Sequence, residues 1–487
     1  INRKGLTMTL SYIPSDTNDE GIFKATASGI LPNGKAVIVN ANGTVSAISA
    51  TGSPESVGAT AQFDSGSPYE MSIADDTGSD RIVICYRDDG NSSYGTAVVG
   101  QVNSDSSISF GTPVVFESAT TEGDITYDVN ANKVLIAFTD YGNSEYGKAI
   151  VGTVNPSNNS ISFGTVSVFR SGTSTFVRVA YTAEETKNVI IYRDESDSNY
   201  GKVIVATISG TSVAFGSAAA FQQTNVDNLA IVAATASIVL IGYRDRGNGD
   251  KGYVRTIDVA GTNRSVNTAV VFTTASVTSI SLAYDTTQAN LIIAYRMNGP
   301  DFGAVNIAPV ENEDDIGTIG SQVNFLNANL NFISANYNSD SNQVVITYAR
   351  STTGGLKSGT ISGTSISFGD EFAWDSGSIS YPASTYDTTT KKTIIAFRLS
   401  NTSKAKTYSA PSTTLTAENY IGMSTGGTYA SGSTATVKII GNTSNEQSSL
   451  TAGQSYFVQT DGTIGTTADD PSVFAGTAIS ATRLIVK

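Results

Sequence analysis

The chain has 487 residues, of which 39% are hydrophobic and only 15% are charged, and its formal net charge is −14. Binding to nucleic acids or anionic membrane surfaces needs clustered Lys and Arg residues, which this acidic chain lacks, so we expect no nucleic-acid partner. No apolar run reaches the roughly 18 residues of a membrane helix, so we also expect no membrane insertion. One cysteine and no histidine exclude an intrachain disulfide and leave too few ligands for an ordinary zinc site.

The N-terminal segment, residues 1–53, is low in charge and carries a hairpin signal. An apolar run at residues 34–39 leads through Asn42-Gly43 into residues 44–46, and Asn-Gly is a strong signal for a two-residue turn. Because the chain starts at Ile1 rather than methionine, we expect a processed or truncated form.

Between residues 54 and 410, an apolar run that ends in an aromatic residue recurs every 49 to 54 positions. A second aromatic series, in which most members follow a segment like Ser-Ile-Ser-Phe-Gly, begins one copy earlier and stops one copy sooner. The first series comprises Tyr86, Phe138, Tyr192, Tyr243, Tyr295, Tyr348 and Phe397. The second series comprises Phe63, Phe116, Phe169, Phe221, Phe272, Phe325 and Trp374.

One repeat, residues 124–170, is predicted to contain four strands at residues 124–128, 133–138, 146–154 and 160–169, separated by turn-forming residues. Four strands over about 50 residues, repeated in series, are typical of a β-propeller blade. We therefore expect an all-β chain with a seven-bladed β-propeller.

The offset between the two aromatic series indicates how the ring closes. Residues 54–64 can supply the outer strand of the blade built from residues 383–409, which protects backbone groups that an open edge would expose. Both flanks then leave the ring at one place. We predict that residues 1–53 and 411–487, the latter with a second hairpin signal at residues 454–464, form one small discontinuous β module, with the propeller at residues 54–410 inserted into it.

The repeat pattern Tyr-Arg-Asp-x-Gly-Asn-Ser-x-Tyr-Gly resembles repeats in virion structural proteins of marine tailed phages, notably cyanophages. The tail segments at residues 415–422, 453–462 and 471–478 resemble a module that ends many such proteins, and residues 28–46 fit the same setting. The resemblance implies a virion or extracellular location and a place in a tail fibre, a receptor-binding component or the capsid surface.

These considerations favour a non-enzymatic host-recognition or display protein whose partners are other virion proteins and a host surface glycan or protein, and which forms a homo-oligomer. Two alternatives stay open. One is a capsid decoration or self-assembling extracellular fibre protein, and the other is a glycan depolymerase. No catalytic residue, metal ligand or cofactor is assigned from the sequence, since no carboxylate pair or nucleophile recommends itself.

An arginine follows the marker aromatic residue in five repeats and is the first candidate for binding, since a ring of guanidinium groups can hold carboxylates. The alternative is a structural ion pair with the adjacent Asp88, Asp194 or Asp245. The arginines are Arg87, Arg193, Arg244, Arg296 and Arg398.

Three further features carry weaker signals. Tyr94, Tyr146 and Tyr200 recur in register before a glycine and suit either ligand stacking or packing. The Asp- and Asn-rich loops that begin at residues 88, 140, 194 and 245 contain oxygen ligands suited to calcium, although turn formation explains them equally well. The acidic run at residues 311–315 suits a solvated loop or, alternatively, a cationic partner.

Overall fold

The computed structural model describes residues 21–40, 43–48, 55–234, 237–299, 301–311, 315–410, 419–468 and 472–487. The chain divides into two compact units. The repeat unit is residues 55–410, and the flanking unit consists of the described residues before 55 and after 410. In the described residues, no helix is long and apolar enough to cross a membrane.

The described residues form strands and three short 3₁₀ helices, which confirms the all-β prediction. Three strands precede the repeats: β1 (Ile22–Thr26), β2 (Ala36–Val39) and β3 (Val45–Ala47). The first part of the repeat unit contains β4 (Ser56–Val57), β5 (Ala61–Asp64), β6 (Pro68–Asp76), β7 (Arg81–Asp88), β8 (Tyr94–Val102), β9 (Ile108–Phe110), β10 (Val114–Asp128), β11 (Lys133–Asp140), β12 (Tyr146–Asn155), β13 (Ser160–Phe163), β14 (Ser167–Thr182), β15 (Lys187–Asp194), β16 (Tyr200–Ser209), β17 (Ser212–Phe215) and β18 (Ala219–Gln222). The second part contains β19 (Val226–Ala233), β20 (Ile238–Asp245), β21 (Lys251–Ala260), β22 (Asn263–Val266), β23 (Val270–Asp285), β24 (Asn290–Met297), β25 (Gly303–Glu311), β26 (Asp315–Ile316), β27 (Val323–Leu326), β28 (Asn331–Asn338), β29 (Gln343–Ala349), β30 (Thr353–Ser362), β31 (Ser365–Phe368), β32 (Phe372–Ser376), β33 (Ile379–Asp387), β34 (Lys392–Leu399) and β35 (Thr402–Ser409).

Seven strands and three 3₁₀ helices complete the set. The strands after the repeats are β36 (Tyr420–Thr425), β37 (Thr434–Ile439), β38 (Thr443–Ser444), β39 (Ser455–Val458), β40 (Ile464–Gly465), β41 (Phe474–Ser480) and β42 (Arg483–Val486). The 3₁₀ helices are Asp89–Asn91, Glu195–Asp197 and Arg246–Asn248.

The flanking unit contains two sheets, in the orders β1-β37-β36-β2-β3 and β38-β42-β41-β39-β40. Strands from before and after the repeats therefore pair directly. The two predicted hairpins are present as β2 with β3 and β39 with β40, although Asn42 of the first turn lies outside the described residues. Ala36 and Met423 of the first sheet share one core with Tyr456 and Leu484 of the second.

Each repeat in the repeat unit pairs its strands in antiparallel order from an innermost strand outwards, as β10, β11, β12 and β13 do. The predicted outer strand at residues 160–169 is interrupted between β13 and β14. The interruption includes Gly164, where a Cβ atom would lie 1.9 Å from the carbonyl oxygen of Thr211. The interruption therefore lets the next repeat approach the backbone.

The two aromatic series of the sequence meet in space, one pair at each junction between repeats. Phe116 on β10 packs against Phe138 of the following repeat with ring centroids 5.2 Å apart. The same arrangement brings Phe63 on β5 to 5.4 Å from Tyr86. The other pairs are Phe169 with Tyr192, Phe221 with Tyr243, Phe272 with Tyr295, Phe325 with Tyr348 and Trp374 with Phe397.

The glycine of the Tyr-Gly motif makes room for these aromatic rings. A Cβ atom at Gly147 or Gly201 would lie 2.3 Å from the ring of Phe169 or Phe221. The seventh equivalent position holds Ser403, which is buried and donates a hydrogen bond to the carbonyl of Gly66 at 3.2 Å. The motif is therefore a packing device for the outer strand.

The last repeat, β33 to β35, obtains its outer strands from the start of the unit. Strand β35 pairs with β4 and β5, with Ala405 opposite Ala61 and Lys404 opposite Gln62. The innermost strands pack side by side in the order β6, β10, β14, β19, β23, β28 and β33, and β33 packs against β6. Asp75 of β6 also accepts hydrogen bonds from the backbone and hydroxyl of Thr388 at 3.2 and 3.1 Å.

Candidate functional site

A cavity of about 360 Å³ lies between the innermost strands of the repeat unit, and all seven repeats contribute to its lining. This volume falls in the usual range of small-ligand sites, roughly 300–1,000 Å³. The cavity is the candidate functional site, and the side chains that give it chemical character come from β6, β10, β14, β28 and β33.

Irregular backbone places these side chains. Six innermost strands shift register against their neighbours, as β6 does between Tyr69 and Ser72. At each shift one non-glycine residue has a φ of 45° to 52°. A β-bulge of this kind re-aims a side chain, and such strained residues cluster at functional sites. The six residues are Glu70, Phe176, Asn228, Ser279, Phe332 and Tyr381.

The innermost strand of the second repeat is the exception, because β10 pairs with β11 without a shift. Gly123 lies so close to β11 that a Cβ atom would be 2.4 Å from the carbonyl oxygen of Ala137. The regular backbone places Glu122 and Asp124 on the cavity lining beside Glu70.

Glu70 and Glu122 are two carboxyl groups that interact on the cavity lining. Burial, reinforced by the adjacent charge and hydrogen bond of Glu122, raises the pKa of Glu70 to about 8. Tyr141 donates its hydroxyl to Glu122 at 2.8 Å, and burial raises the pKa of this tyrosine. Glu70 is therefore largely protonated at neutral pH and can donate a hydrogen bond.

Arg178 supplies the positive charge on the cavity lining. Its Nη1 atom donates to the carbonyl of Val177 at 2.8 Å, and its charge lowers the pKa of Glu70 against the larger effect of burial. Asp124 is held by the hydroxyl of Ser72 and by the backbone N–H groups of Ile125 and Val179, both at 3.0 Å. This third carboxylate therefore joins neighbouring repeats.

Aromatic side chains line the cavity in other repeats. The ring of Tyr381 lies 4.3 Å from the rings of both Tyr69 and Phe332. Phe176 lines the cavity on β14. The cavity thus combines aromatic surface with paired carboxyl groups and a guanidinium group.

None of the five predicted arginines lines the cavity, although Arg193 stacks on the ring of the lining residue Phe176 at 4.7 Å. Arg87 pairs with Asp89 at 2.8 Å and stacks on Tyr69 at 3.8 Å. Arg193 pairs with Glu195, and Arg244 pairs with Asp227 at 2.5 Å.

The expectation of ion pairs with the adjacent Asp88, Asp194 and Asp245 was wrong. Neighbouring side chains of a strand point to opposite faces. The three aspartates are buried on the other face, where Asp194 pairs with Arg170 at 3.0 Å and Asp245 accepts from Thr224 at 2.8 Å.

The other predicted residues are engaged locally. Arg296 pairs with Asp301 at 2.7 Å, and Arg398 donates to the carbonyl of Ser400 and the side chain of Asn401 at 2.8 and 3.0 Å. Half-buried tyrosines begin the third strand of the first three repeats and also lie off the cavity lining; they are Tyr94, Tyr146 and Tyr200.

The loops considered for calcium are tight turns. In two of them the first aspartate accepts a backbone hydrogen bond, Asp88 from Gly90 and Asp140 from Gly142, both at 2.9 Å. Asp194 and Asp245 instead accept from side chains. No cluster of three or more possible protein ligands for a metal occurs among the described residues. Residues 312–314 of the acidic run lie outside the described residues. Cys85 is buried in β7, and burial raises the pKa of its thiol.

The residues of the cavity were missed in the sequence because the equivalent position does not repeat a single residue type from one repeat to the next. One signal does exist in the sequence. Glu70 precedes the marker Tyr86 by 16 positions, and the same offset, or 15 for one residue, leads to the other members of the column. They are Glu122, Phe176, Asn228, Ser279, Phe332 and Tyr381. A column that varies inside a regular repeat is a candidate for binding.

Comparison with known proteins gives no family: no protein-family model matches the sequence, and no curated protein matches it. Solved structures similar to the chain include the Dos1 propeller, at 10% identity over 73% of this chain and 95% of that chain, with a TM-score of 0.41. A protein from Lactobacillus plantarum is similar at 11% identity over 70% and 95%, with a TM-score of 0.45. The β-propeller domain of Cps50 (Swd1) from Myceliophteria thermophila is similar at 10% identity over 73% and 100%, with a TM-score of 0.48.

Proposed function

We propose that residues 55–410 form a closed seven-bladed β-propeller, and that this unit is a non-enzymatic recognition or display module on the surface of a tailed phage. The observation that carries the proposal is the aromatic pair that recurs at every junction, including Phe63 with Tyr86. A second contact supports closure at that junction, where the hydroxyl of Tyr86 donates to Asp64 at 2.7 Å. A ring locked in this way is rigid, while its loops and central cavity are free to vary.

Recognition is supported by the contrast between this regular scaffold and the varied lining of the cavity. The place on a virion is supported by the resemblance of the repeats and of the tail segments to tailed-phage structural proteins. In this proposal the flanking unit provides attachment to other virion proteins or to further copies of the chain, and the cavity faces a host surface glycan or protein.

The direct test has two parts. Immunogold electron microscopy of the source particles, with an antibody against residues 67–410, should place gold on tail tips or fibres. Purified full-length protein should then reduce adsorption of those particles to host cells. Gold spread over the capsid would favour a decoration role, and absence of gold from all particles would contradict a virion protein.

One observation favours glycan cleavage as a second candidate function. Glu70 and Glu122 are two carboxyl groups in one cavity, and glycosidases use such pairs, one protonated and one ionised. The two carboxyl groups interact directly, whereas glycosidases hold theirs roughly 5–9.5 Å apart, so a substrate would have to separate them.

Glycan cleavage is tested by reducing-end release from host surface polysaccharide. We expect no release from the wild-type protein. Release that is lost in Glu122→Gln but kept in Glu184→Gln, an exposed carboxylate outside the cavity lining, would replace the non-enzymatic proposal with a depolymerase.

A further inference from the structure

The geometry of the cavity points to the class of ligand. We propose that the cavity binds a neutral, polyhydroxylated ligand, a short uncharged oligosaccharide, with hydroxyl groups on Glu70, Glu122 and Arg178 and a sugar ring against Phe176. The inference rests on the proposed recognition function and specifies its ligand.

Charge balance is the first reason. Because burial raises the pKa of Glu70 to about 8, this carboxyl group is largely protonated at neutral pH, and Arg178 lies near it on the lining. Asp124 already accepts hydrogen bonds from two backbone N–H groups and the hydroxyl of Ser72. An anionic ligand would meet three carboxyl groups, and a cationic ligand would be repelled by Arg178 beside Glu70, so we expect the lining to disfavour both relative to a neutral ligand.

The mixture of donors and acceptors is the second reason. Arg178 only donates, an ionised carboxylate only accepts, and the protonated carboxyl of the pair can donate. Within the part of the chain that the structure describes, Arg178 gives one hydrogen bond to a carbonyl, that of Val177. A sugar hydroxyl both donates and accepts, so adjacent hydroxyl groups can satisfy all of these groups at once.

The aromatic surface is the third reason. Phe176, Phe332 and Tyr381 line the cavity on three strands, with Phe332 and Tyr381 in contact. Sugar rings have apolar C–H faces that pack on aromatic rings, whereas their edges form hydrogen bonds. The bulges hold these rings on strands instead of loops, and binding groups held on rigid elements are placed more precisely.

The test is isothermal titration of the full-length protein with neutral and charged trisaccharides of matched backbone. The neutral probes are cellotriose, maltotriose, mannotriose and galactotriose, and the charged ones are the chitosan trimer and trigalacturonic acid. We expect saturable binding of at least one neutral probe and at least tenfold weaker binding of the charged probes. Two results would overturn the proposal: equally tight binding of a charged probe, or no binding of any neutral probe at concentrations up to about 10 mM.

Variants locate the binding. Phe176→Leu and Glu122→Gln should each weaken it about tenfold or more, because one loses the ring face and the other loses the carboxyl group as a hydrogen-bond partner. Glu184→Gln is the matched control and should bind as wild type, with thermal unfolding checked for all three. Unchanged binding in both cavity variants would overturn the site. If sugar binding fails while the protein still blocks phage adsorption, the inference fails and the proposed function stands. If adsorption is not blocked, the proposed function itself fails.

Discussion

The junctions between repeats and the cavity at their centre follow opposite rules. At the junctions, every repeat uses the same pairing of an outer-strand aromatic residue with a marker aromatic residue, as in Phe116 with Phe138. In the cavity, the equivalent position of the seven repeats holds five residue types, from Glu70 to Tyr381. Packing between repeats therefore constrains the sequence strongly, whereas the residues of the cavity lining can vary and include groups that bind a ligand.

The largest effect is expected from a substitution that disrupts the junction between two repeats. Phe63→Ala should lower the free energy of unfolding by about 3–5 kcal/mol, as expected for a buried phenylalanine, and Phe116→Ala should cost a similar amount. Both rings are buried and both contact a marker aromatic residue. Urea unfolding of the two variants measures this. If Phe63→Ala leaves the free energy of unfolding unchanged while Phe116→Ala lowers it, the first and last repeats do not join.

A smaller effect is expected where a junction is overfilled. Gly201→Ala places a methyl group 2.3 Å from the ring of Phe221, and displacing that ring should cost about 1–3 kcal/mol. Ser403 occupies the equivalent position in the last repeat, so Ser403→Ala should cost about 1 kcal/mol or less. Thermal unfolding of both variants compares them, and equal costs would refute the packing role of the glycine.

The buried carboxyl groups of the cavity should affect how the free energy of unfolding depends on pH. Because the pKa of Glu70 rises from its ordinary value of 4.5 to about 8, the folded chain binds more protons than the unfolded chain between these values. The contribution of Glu70 therefore destabilises the fold progressively as pH rises from about 4.5 to 8. Urea unfolding from pH 5 to 9 should show a shallower decline in Glu70→Gln than in wild type. Glu184→Gln should keep the wild-type slope, and an unchanged slope in Glu70→Gln would contradict the buried pair.

The smallest effect concerns Asp75, which contacts Thr388 between the first and last repeats. Burial raises its pKa to about 6, against the opposing hydrogen bond from Thr388. Asp75→Asn keeps an acceptor and removes the buried charge, so the melting temperature should rise slightly at pH 8, with a difference that shrinks towards pH 5. A lower melting temperature at both pH values would contradict this.

The sequence predicted what depends on periodicity. The recurring apolar runs identified the central strands, and the two aromatic series identified the residues that meet between repeats, such as Phe116 and Phe138. Regular spacing is visible in a sequence because each copy obeys the same packing constraint.

The candidate site could not be predicted in the same way. Glu70 and Glu122 are 52 positions apart and become neighbours only because one strand is bulged and the next is regular. The predicted ion-pair partners of the arginines were wrong, and the reason is simpler. Arg87 and Asp88 are adjacent in sequence but lie on opposite faces of β7, so Arg87 pairs with Asp89 instead.

We propose that residues 55–64 close the ring, and an engineered disulfide can test this closure. Gln62 and Lys404 are opposite partners on β5 and β35, and the only native thiol, Cys85, is buried. After mild oxidation, Gln62→Cys with Lys404→Cys should form an intramolecular bridge that changes migration on a non-reducing gel. Gln62→Cys with Ala373→Cys, an exposed position on the neighbouring repeat, should stay reduced. Failure of the first pair to bridge, or bridging of both pairs alike, would contradict the closed ring.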